Sequence, residues 1–466
     1  MPSRPSASAR PSKPSFRCEE CGATAVRWVG RCPQCQAWGT LVEVGAPKAR
    51  QVQASAVSAP ARPIADIDAV AARARPTGVD ELDRVLGGGL VPGAVVLLAG
   101  EPGVGKSTLL LAVAHHAARA DAPALIVSGE ESTAQVRLRA GRMNALSPYL
   151  FLAAENDLGA LLGHVDAVSP GLLVVDSVQT FAHPDVEGAP GGVTQIREVT
   201  GALIRIAKER ALPVVLVGHV TKDGGIAGPR LLEHLVDVVL SFEGDRHTSL
   251  RMVRAVKNRF GATDEVGCFA LTEDGIVGLT DPSGLFLSAG GRSPAPGTCV
   301  TVALEGRRPL VAEVQALVVA TGANFPRRAV TGMESARVSM LAAVLEKQAG
   351  VILSNQEIYA STVGGVTLAE PAVDLAVVLA LAGSAAARPL PDGMCACGEV
   401  GLAGDVRPVT GLPRRVAEAA RLGFTHLLVP QQPVQQRDLP AGVATTPVRN
   451  VFEALHQAGV SPRQRR

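Results

Sequence analysis

The run Gly100-Glu101-Pro102-Gly103-Val104-Gly105-Lys106-Ser107 is where residue type and spacing specify a chemistry most narrowly. It satisfies G-x4-G-K-[ST] in full, follows an apolar run (Ala94 to Ala99) and leads into a helix-forming stretch from Thr108 to Arg119. In a strand–loop–helix setting, glycines let the backbone curl around a phosphate with its N–H groups pointing inward. Lys106 then reaches the β- and γ-phosphates, and the Ser107 hydroxyl ligates Mg2+. Residues 100–108 therefore form a candidate ATP site.

Two acidic positions extend it. Leu172-Leu-Val-Val-Asp176 is an apolar strand ending in a carboxylate, and an acid at the carboxyl edge of a sheet can hold the magnesium shell. The simpler alternative for Asp176 is a strand-end acid that caps a turn. A second strand, Ala124 to Val127, runs into Ser128-Gly-Glu130-Glu131-Ser132. A carboxylate there is placed to polarise an attacking water, although acids also favour a solvated helix start. Chemistry alone does not separate Glu130 from Glu131.

Cys18-Glu-Glu-Cys21 and Cys32-Pro-Gln-Cys35 form two C-x2-C pairs ten residues apart, a spacing that completes a tetrahedral Zn2+ shell. With four protein ligands no position is open to water, so the metal is structural. Cys268, Cys299, Cys395 and Cys397 are scattered and read as buried apolar fillers.

These groups need elements to position them. At 466 residues the chain has room for about three domains, and its 47% hydrophobic content supports large cores. Its net charge of +2 does not by itself indicate nucleic acid, so any DNA contact must come from local clusters of Lys and Arg. The N-terminal residues lack the apolar run of a secretory signal. The longest apolar stretch, Ala376 to Ala387, is too short to span a bilayer and reads as a buried helix. A cytoplasmic protein without membrane contact is expected.

Composition divides the chain into a four-Cys zinc module (17–43) and a flexible linker (44–75), then an α/β segment of alternating strands and helices (76–285) and an α+β segment (286–460). Within 76–285, two glycine-containing loops follow core strands. The first spans His183 to Ile196 and leads to Arg197, with Phe181 as the one nearby aromatic. The second, Thr221 to Arg230, carries Lys222 and Arg230, the first choices for DNA contact. Lys257 and Arg259 read equally well as cations reaching a neighbouring subunit's γ-phosphate or as a solvated hairpin edge.

Thr77-Gly-Val-Asp-Glu-Leu-Asp-Arg-Val-Leu-Gly-Gly-Gly-Leu-Val-Pro-Gly93, followed by the phosphate loop, resembles the entry into the ATPase core of the RecA, KaiC and RadA families. Lys257-Asn-Arg-Phe-Gly261 and the four cysteines narrow this to a resemblance to the bacterial RadA (Sms) family. The resemblance implies a RecA-like core in a hexameric ring. It also implies ATP-driven unwinding and branch migration of single-stranded and branched DNA in recombinational repair, in cooperation with RecA recombinase. Glu130 then matches the position that activates water, and His219 the polar group that senses the γ-phosphate; on its own residues, His219 is as well explained as a strand-end histidine bonded to a loop. Lys257 and Arg259 take the intersubunit role.

Residues Gly398 to Ala419, followed by Leu427 to Pro430, resemble the proteolytic domain of Lon. That family needs a Ser nucleophile and a Lys base, and the matching positions are Ala372 and Pro413. Arg414 and Arg415 are no substitute, because a guanidinium does not act as a general base. A catalytically inactive scaffold is expected. Ser361 and Thr362 are exposed candidates for an unrelated nucleophile, with nothing nearby to support them. A Lon-type ATP-dependent protease and a KaiC-like nucleotide-switched scaffold remain the alternatives to a DNA motor.

Overall fold

Between Phe16 and Leu41 the buried apolar residues are Cys18, Cys32 and Leu41, so backbone pairing has to organise this segment. Strands β1 (Ser15–Cys18), β2 (Thr24–Ala25) and β3 (Leu41–Val44) form an antiparallel sheet in the order β2-β1-β3. Each Cys pair lies on the same turn: Gly22 N donates to Cys18 O, and Gln36 N to Cys32 O, both at 3.0 Å. The computed structural model describes residues 15–44, 61–66, 73–219, 232–244, 248–287, 295–322, 325–433, 440 and 442–462. They belong to two compact units, residues 1–68 and 69–466.

In the second unit, α1 (Asp80–Leu86) ends at Gly87, whose φ of 82° lies in the left-handed region that glycine adopts without penalty. Then follow β4 (Val95–Gly100), α2 (Lys106–Ala117), β5 (Ala124–Ser128), α3 (Thr133–Arg142), β6 (Leu150–Ala154), α4 (Leu158–Val168), β7 (Leu172–Asp176), α5 (Val193–Arg210) and β8 (Val214–His219). The chain continues through β9 (Val238–Glu243), β10 (Leu250–Asn258), β11 (Val266–Thr272) and β12 (Gly275–Gly278). Every residue of β4, β5 and β7 is buried, as suits strands covered on both faces by helices. A capping box of Ser132 and Gln135 starts α3, and the Asp157 carboxylate caps α4. The nine strands order as β12-β11-β10-β9-β4-β8-β7-β5-β6, parallel from β9 to β6 and antiparallel from β9 to β12. The phosphate-loop strand β4 is thus central, between β8 and β9.

The second sheet uses β13 (Thr298–Glu305), β14 (Arg308–Ala320), β15 (Arg328–Thr331), β16 (Gln356–Thr362) and β17 (Met394–Ala396). A small ribbon, β18 (Glu399–Val400) with β19 (Val406–Arg407), precedes β20 (His426–Pro430) and β21 (Ala444–Val448). The seven-stranded order is β15-β16-β14-β13-β17-β20-β21. Helices α6 (Ser335–Ala349), α7 (Asp374–Ala386), α8 (Leu412–Arg421) and α9 (Val451–Gln457) accompany it. The apolar stretch singled out in the sequence is α7, buried from Asp374 through Gly383. No helix among the described residues is long and apolar enough to cross a membrane. Cys268, Cys299, Cys395 and Cys397 are buried, as expected of fillers.

The two sheets of this unit meet through buried charge. Glu81 of α1 is 1% exposed and pairs with Arg308 at the start of β14. Glu81 Oε2 also accepts from Cys268 N at 2.9 Å, while Arg308 donates to Leu279 O at 2.8 Å and Thr280 O at 2.9 Å. Arg254 of β10 reaches Glu305 at 2.5 Å. At the β13–β14 turn, a Cβ on Gly306 would stand 2.2 Å from Asp264 O, so only glycine fits that approach. Removing one partner of such a pair strands a buried charge. Arg308→Met is expected to lower unfolding free energy by about 3–5 kcal/mol, and Glu81→Leu in the same chain to restore much of the loss. Denaturant titration checks this; equal stability of Arg308→Met and the parent would contradict it.

Candidate active site and metal centre

Gly100 ends β4 against the β9 backbone, where a Cβ would lie 2.4 Å from Phe242 O. Gly103 and Gly105 take φ values of 80° and 111°, which leaves the intervening loop free to curl and lets α2 begin at Lys106, two residues before the expected Thr108. Pro102 and Gly103 are exposed, Glu101, Ser107 and Thr108 half-buried, and Val104 buried. The Val104 carbonyl accepts from Arg251 Nε at 3.0 Å. Lys106 is 4% exposed, and its ammonium donates to Gly100 O at 2.8 Å and Glu101 O at 2.9 Å.

Its third bond goes to His219 Nδ1 at 3.2 Å, and the far side of that ring, Nε2, lies 3.0 Å from Glu130 Oε1. An ammonium only donates and a carboxylate only accepts, so the ring accepts at Nδ1 and donates from Nε2. Glu130 Oε1 also accepts from the Ser177 hydroxyl at 2.5 Å. Glu131 is turned elsewhere, into an ion pair with Arg139 of α3. The two acids that sequence chemistry left equivalent thus occupy different surroundings.

Glu130, Asp176 and His219 bring ligand atoms within 4.8 Å of one another, and the Ser107 side chain hydrogen-bonds Asp176. Burial pushes the Asp176 carboxyl up from its ordinary value; the Ser107 hydroxyl opposes this, and nearby Glu130 adds to it. Burial likewise pushes the Lys106 ammonium down to about 8, against the opposing pull of Asp176 and Glu130. A divalent cation or phosphate oxygens would each find complementary charge at this edge of the sheet. The peptide between Asp176 and Ser177 is cis.

Two glutamines absent from the sequence reading hold the surroundings in place. Gln179 clamps the His219 backbone with bonds of 3.2 Å in both directions. Gln195, 2% exposed at the start of α5, donates to Val186 O at 2.6 Å and accepts from His183 N at 2.8 Å, pinning the loop before it. A polar residue on an otherwise apolar helix stripe was the available signal for Gln195. Phe181, the expected aromatic neighbour of DNA, is fully buried and offers no stacking face. Lys222 and Arg230 lie outside the described residues.

Lys257 and Arg259 are not brought to the phosphate loop of their own chain. Lys257 pairs with Val239 across β10 and β9, near the amino end of β9, whereas Gly100 aligns with Phe242 at its carboxyl end. Three residues at ~3.3 Å each separate those levels by about 10 Å along the strand. Lys257 Nζ donates to Glu233 O and Val236 O, both at 2.8 Å. Arg259 approaches Asp237 at 3.4 Å and is otherwise exposed. Asn258 between them donates to Leu86 O at 3.3 Å, tying the strand end to α1.

In the first unit, Cys18 Sγ lies 3.6 Å from Cys35 Sγ, and Cys21 Sγ 3.6 Å from Cys32 Sγ. All four sulfurs fall within 4.8 Å of one another. A tetrahedron with Zn–S near 2.3 Å has edges of about 3.8 Å, so this cage fits Zn2+ and is too open for disulfides. The Thr40 hydroxyl, 3.2 Å from Cys18 Sγ, holds that thiol down at about 6, favouring the thiolate a metal needs.

In the second sheet, Ala372 is buried, and Pro413 is the second residue of α8. Neither presents a reactive atom. Arg415, with no exposed surface, forms a two-pronged pair with Glu370 and donates to Val302 O at 2.6 Å and Thr410 O at 3.0 Å. This pair ties together the two segments from which a Ser–Lys dyad would come. Thr362 is buried and donates to Val366 O at 2.5 Å, so it is not the exposed hydroxyl expected from the sequence.

Three family models match the chain: a rubredoxin metal binding domain over residues 16–43, an AAA domain over 60–225 and the Lon protease (S16) C-terminal proteolytic domain over 334–457. The chain is 55% identical over 427 residues to a Mycobacterium tuberculosis protein named DNA repair protein RadA, covering 90% of this chain and 88% of that one. It is 53% identical over 450 residues to the protein of that name from Mycolicibacterium smegmatis, with 94% and 96% covered. The Bacillus subtilis protein of that name is 44% identical over 450 residues, with 95% and 98% covered. The resemblance read from residues 77–93, 257–261 and the four cysteines is borne out, as is the RecA-like, zinc-module and Lon-like composition of the fold.

Two outcomes follow from the geometry. Because the Lys106 value is lowered, the positive charge it would offer a phosphate is lost as pH rises through about 8. Affinity for a non-hydrolysable ATP analogue is expected to fall between about pH 7 and 9, with net proton uptake on binding near pH 8. Calorimetry in buffers of different ionisation enthalpy measures both, and a flat profile would refute the assignment. The purified chain is also expected to carry about one zinc, lost in Cys32→Ser, by elemental analysis; full retention in that variant would rule out the cage.

Proposed function

Because this chain belongs to the RadA family of DNA repair proteins and carries its ATPase domain, we propose that it is a DNA-dependent motor. Its ATP hydrolysis drives unwinding and branch migration at recombination intermediates. The observation that carries this reading is the unbroken bond chain Lys106–His219–Glu130. It joins the residue that meets the γ-phosphate to the carboxylate that activates water, through a ring on the last residue of β8, three positions before Lys222 in the sequence. Loss of the γ-phosphate changes what Lys106 bonds, and His219 registers that change.

In this reading Ser107 and Asp176 hold Mg2+, and the ion supplies charge neutralisation between the phosphates. Glu130 is the general base, accepting a proton from water at Oε1 or Oε2, while Glu131 stays committed to Arg139. Lys257 and Arg259 act on a neighbouring subunit, since they stand at the far end of the sheet from their own phosphate loop. That arrangement calls for head-to-tail contact between copies, and a hexameric ring around single-stranded DNA, cooperating with RecA recombinase, is the form we favour. Residues 17–43 serve as the zinc module, 44–75 as its linker, 76–285 as the motor and 286–460 as an inactive protease-like scaffold.

Glu130→Gln is expected to reduce the ATPase kcat by 10²–10⁴-fold with little change in nucleotide affinity, and Glu131→Gln by less than about ten-fold. The assay is run with and without single-stranded DNA at two salt concentrations, and stimulation should weaken at the higher salt. Equal losses in the two variants would overturn the choice of base. Hydrolysis indifferent to DNA would replace the motor with a nucleotide-switched scaffold.

A further inference from the structure

We infer that the exposed face around Trp28 and Trp38 of the four-cysteine module is a stacking platform for unpaired bases of single-stranded DNA. The choice of polymer rests on the reading of the chain as a DNA-dependent ATPase. The platform itself rests on the module's own surface.

The chain has two Trp among 466 residues, and both lie in this module. Neither is used for its core: Trp28 is 60% exposed and Trp38 75%. Leaving two large rings in water forgoes burial that a module with three buried apolar residues could have used. The rings are neighbours. A Cβ on Gly30 would lie 3.5 Å from the Trp38 ring and 4.0 Å from that of Trp28, so both border the same side-chain-free point. Backbone pairing fixes them there, through the antiparallel bridge between Arg31 and Trp38 and the 3.0 Å bond from Gly39 N to Gly30 O.

Positive charge flanks the aromatic surface. The Arg31 guanidinium sits 5.7 Å from the Trp38 ring centroid, held by a 2.8 Å bond from Nε to Gln36 O. Arg27, next to Trp28, is exposed. Neither arginine forms an ion pair among the described residues. Of the module's acids, Glu19 and Glu20 fall inside the other cysteine pair, between Cys18 and Cys21, and Glu43 lies on β3.

Aromatic faces with one guanidinium over the Trp38 ring and an exposed arginine next to Trp28 in the sequence complement a polymer that alternates flat bases with phosphates. Every base presents a π-face, so binding is tolerant of sequence, as a repair protein acting at arbitrary sites requires. A duplex hides those faces in its stack. The proposal therefore commits to unpaired DNA and gives a chain whose aromatic content is only 3% a stacking surface that the buried Phe181 cannot supply.

The composition provides the measurement. Since both tryptophans belong to this face, intrinsic Trp emission of the full-length protein reports on it alone. Titration with oligo(dT) is expected to quench that emission saturably, and blunt duplex to leave it unchanged. Trp28→Ala and Trp38→Ala should each weaken oligo(dT) binding roughly ten-fold by anisotropy of the labelled strand. Trp38→Phe should retain most of the affinity, and zinc content unchanged from the parent establishes that the module stays folded in each variant. Emission unmoved by oligo(dT) while the oligonucleotide stimulates hydrolysis would overturn the platform and leave the motor intact. Quenching without stimulation would uphold the platform and remove the motor. A response to RecA protein alone, or to neither ligand, would also overturn the platform.

Discussion

One buried ammonium organises the catalytic half of this protein. Lys106 is almost wholly removed from water, and a cation in that position persists only if fixed dipoles and charges replace its hydration. Carbonyls from its own loop, an imidazole from β8 and carboxylates following β5 and β7 do this together. Those groups come from segments as much as 119 residues apart, Gly100 to His219, and meet because the parallel order β9-β4-β8-β7-β5 delivers their carboxyl ends to one rim. The hydrophobic strands are the means by which this electrostatic arrangement is held, and the loop glycines keep Cβ atoms out of its way.

Much of that rim was legible in the sequence. A Gly-rich loop between an apolar strand and a helix, and acids at the ends of apolar strands, have local signatures, so Lys106, Asp176 and the Glu130–Glu131 pair could be named without coordinates. What the sequence did not decide was geometry between distant elements. Glu131 is withdrawn from the cluster by Arg139, a turn and a half into the next helix, and nothing in local composition says which of two adjacent acids that arginine will take. The orientation of the His219 ring was hidden in the same way, because both its partners lie on distant segments, Lys106 at the start of α2 and Glu130 beyond β5. Phe181 and Thr362 were misjudged because a residue just beyond a strand, or at its end, looks solvent-facing until neighbouring elements cover it.

The protease-like half is organised by a buried cation of its own. Alanine and proline stand at positions 372 and 413, where the resemblance would place nucleophile and base. The space between their segments is then held by Arg415 and Glu370, whose charges satisfy each other and the carbonyls of Val302 and Thr410. An ion pair buried this deeply contributes modest net stability compared with a well-packed apolar alternative, but it fixes the register of the elements it joins. Arg415 does the same for α8 and the 370–374 segment that Lys106 does for the phosphate loop: a buried cation acts as a template for surrounding carbonyl and carboxylate oxygens.

The Glu81–Arg308 contact has a mechanical corollary. A lever transmits a stroke only where its bearing has no play, and the junction between the two sheets is fastened by buried charge, by a second ion pair and by a glycine turn seated against the Asp264 carbonyl. The protease-like sheet is therefore fastened to the first within one compact unit. Were nucleotide turnover to displace the first sheet, these contacts would carry that displacement to the second.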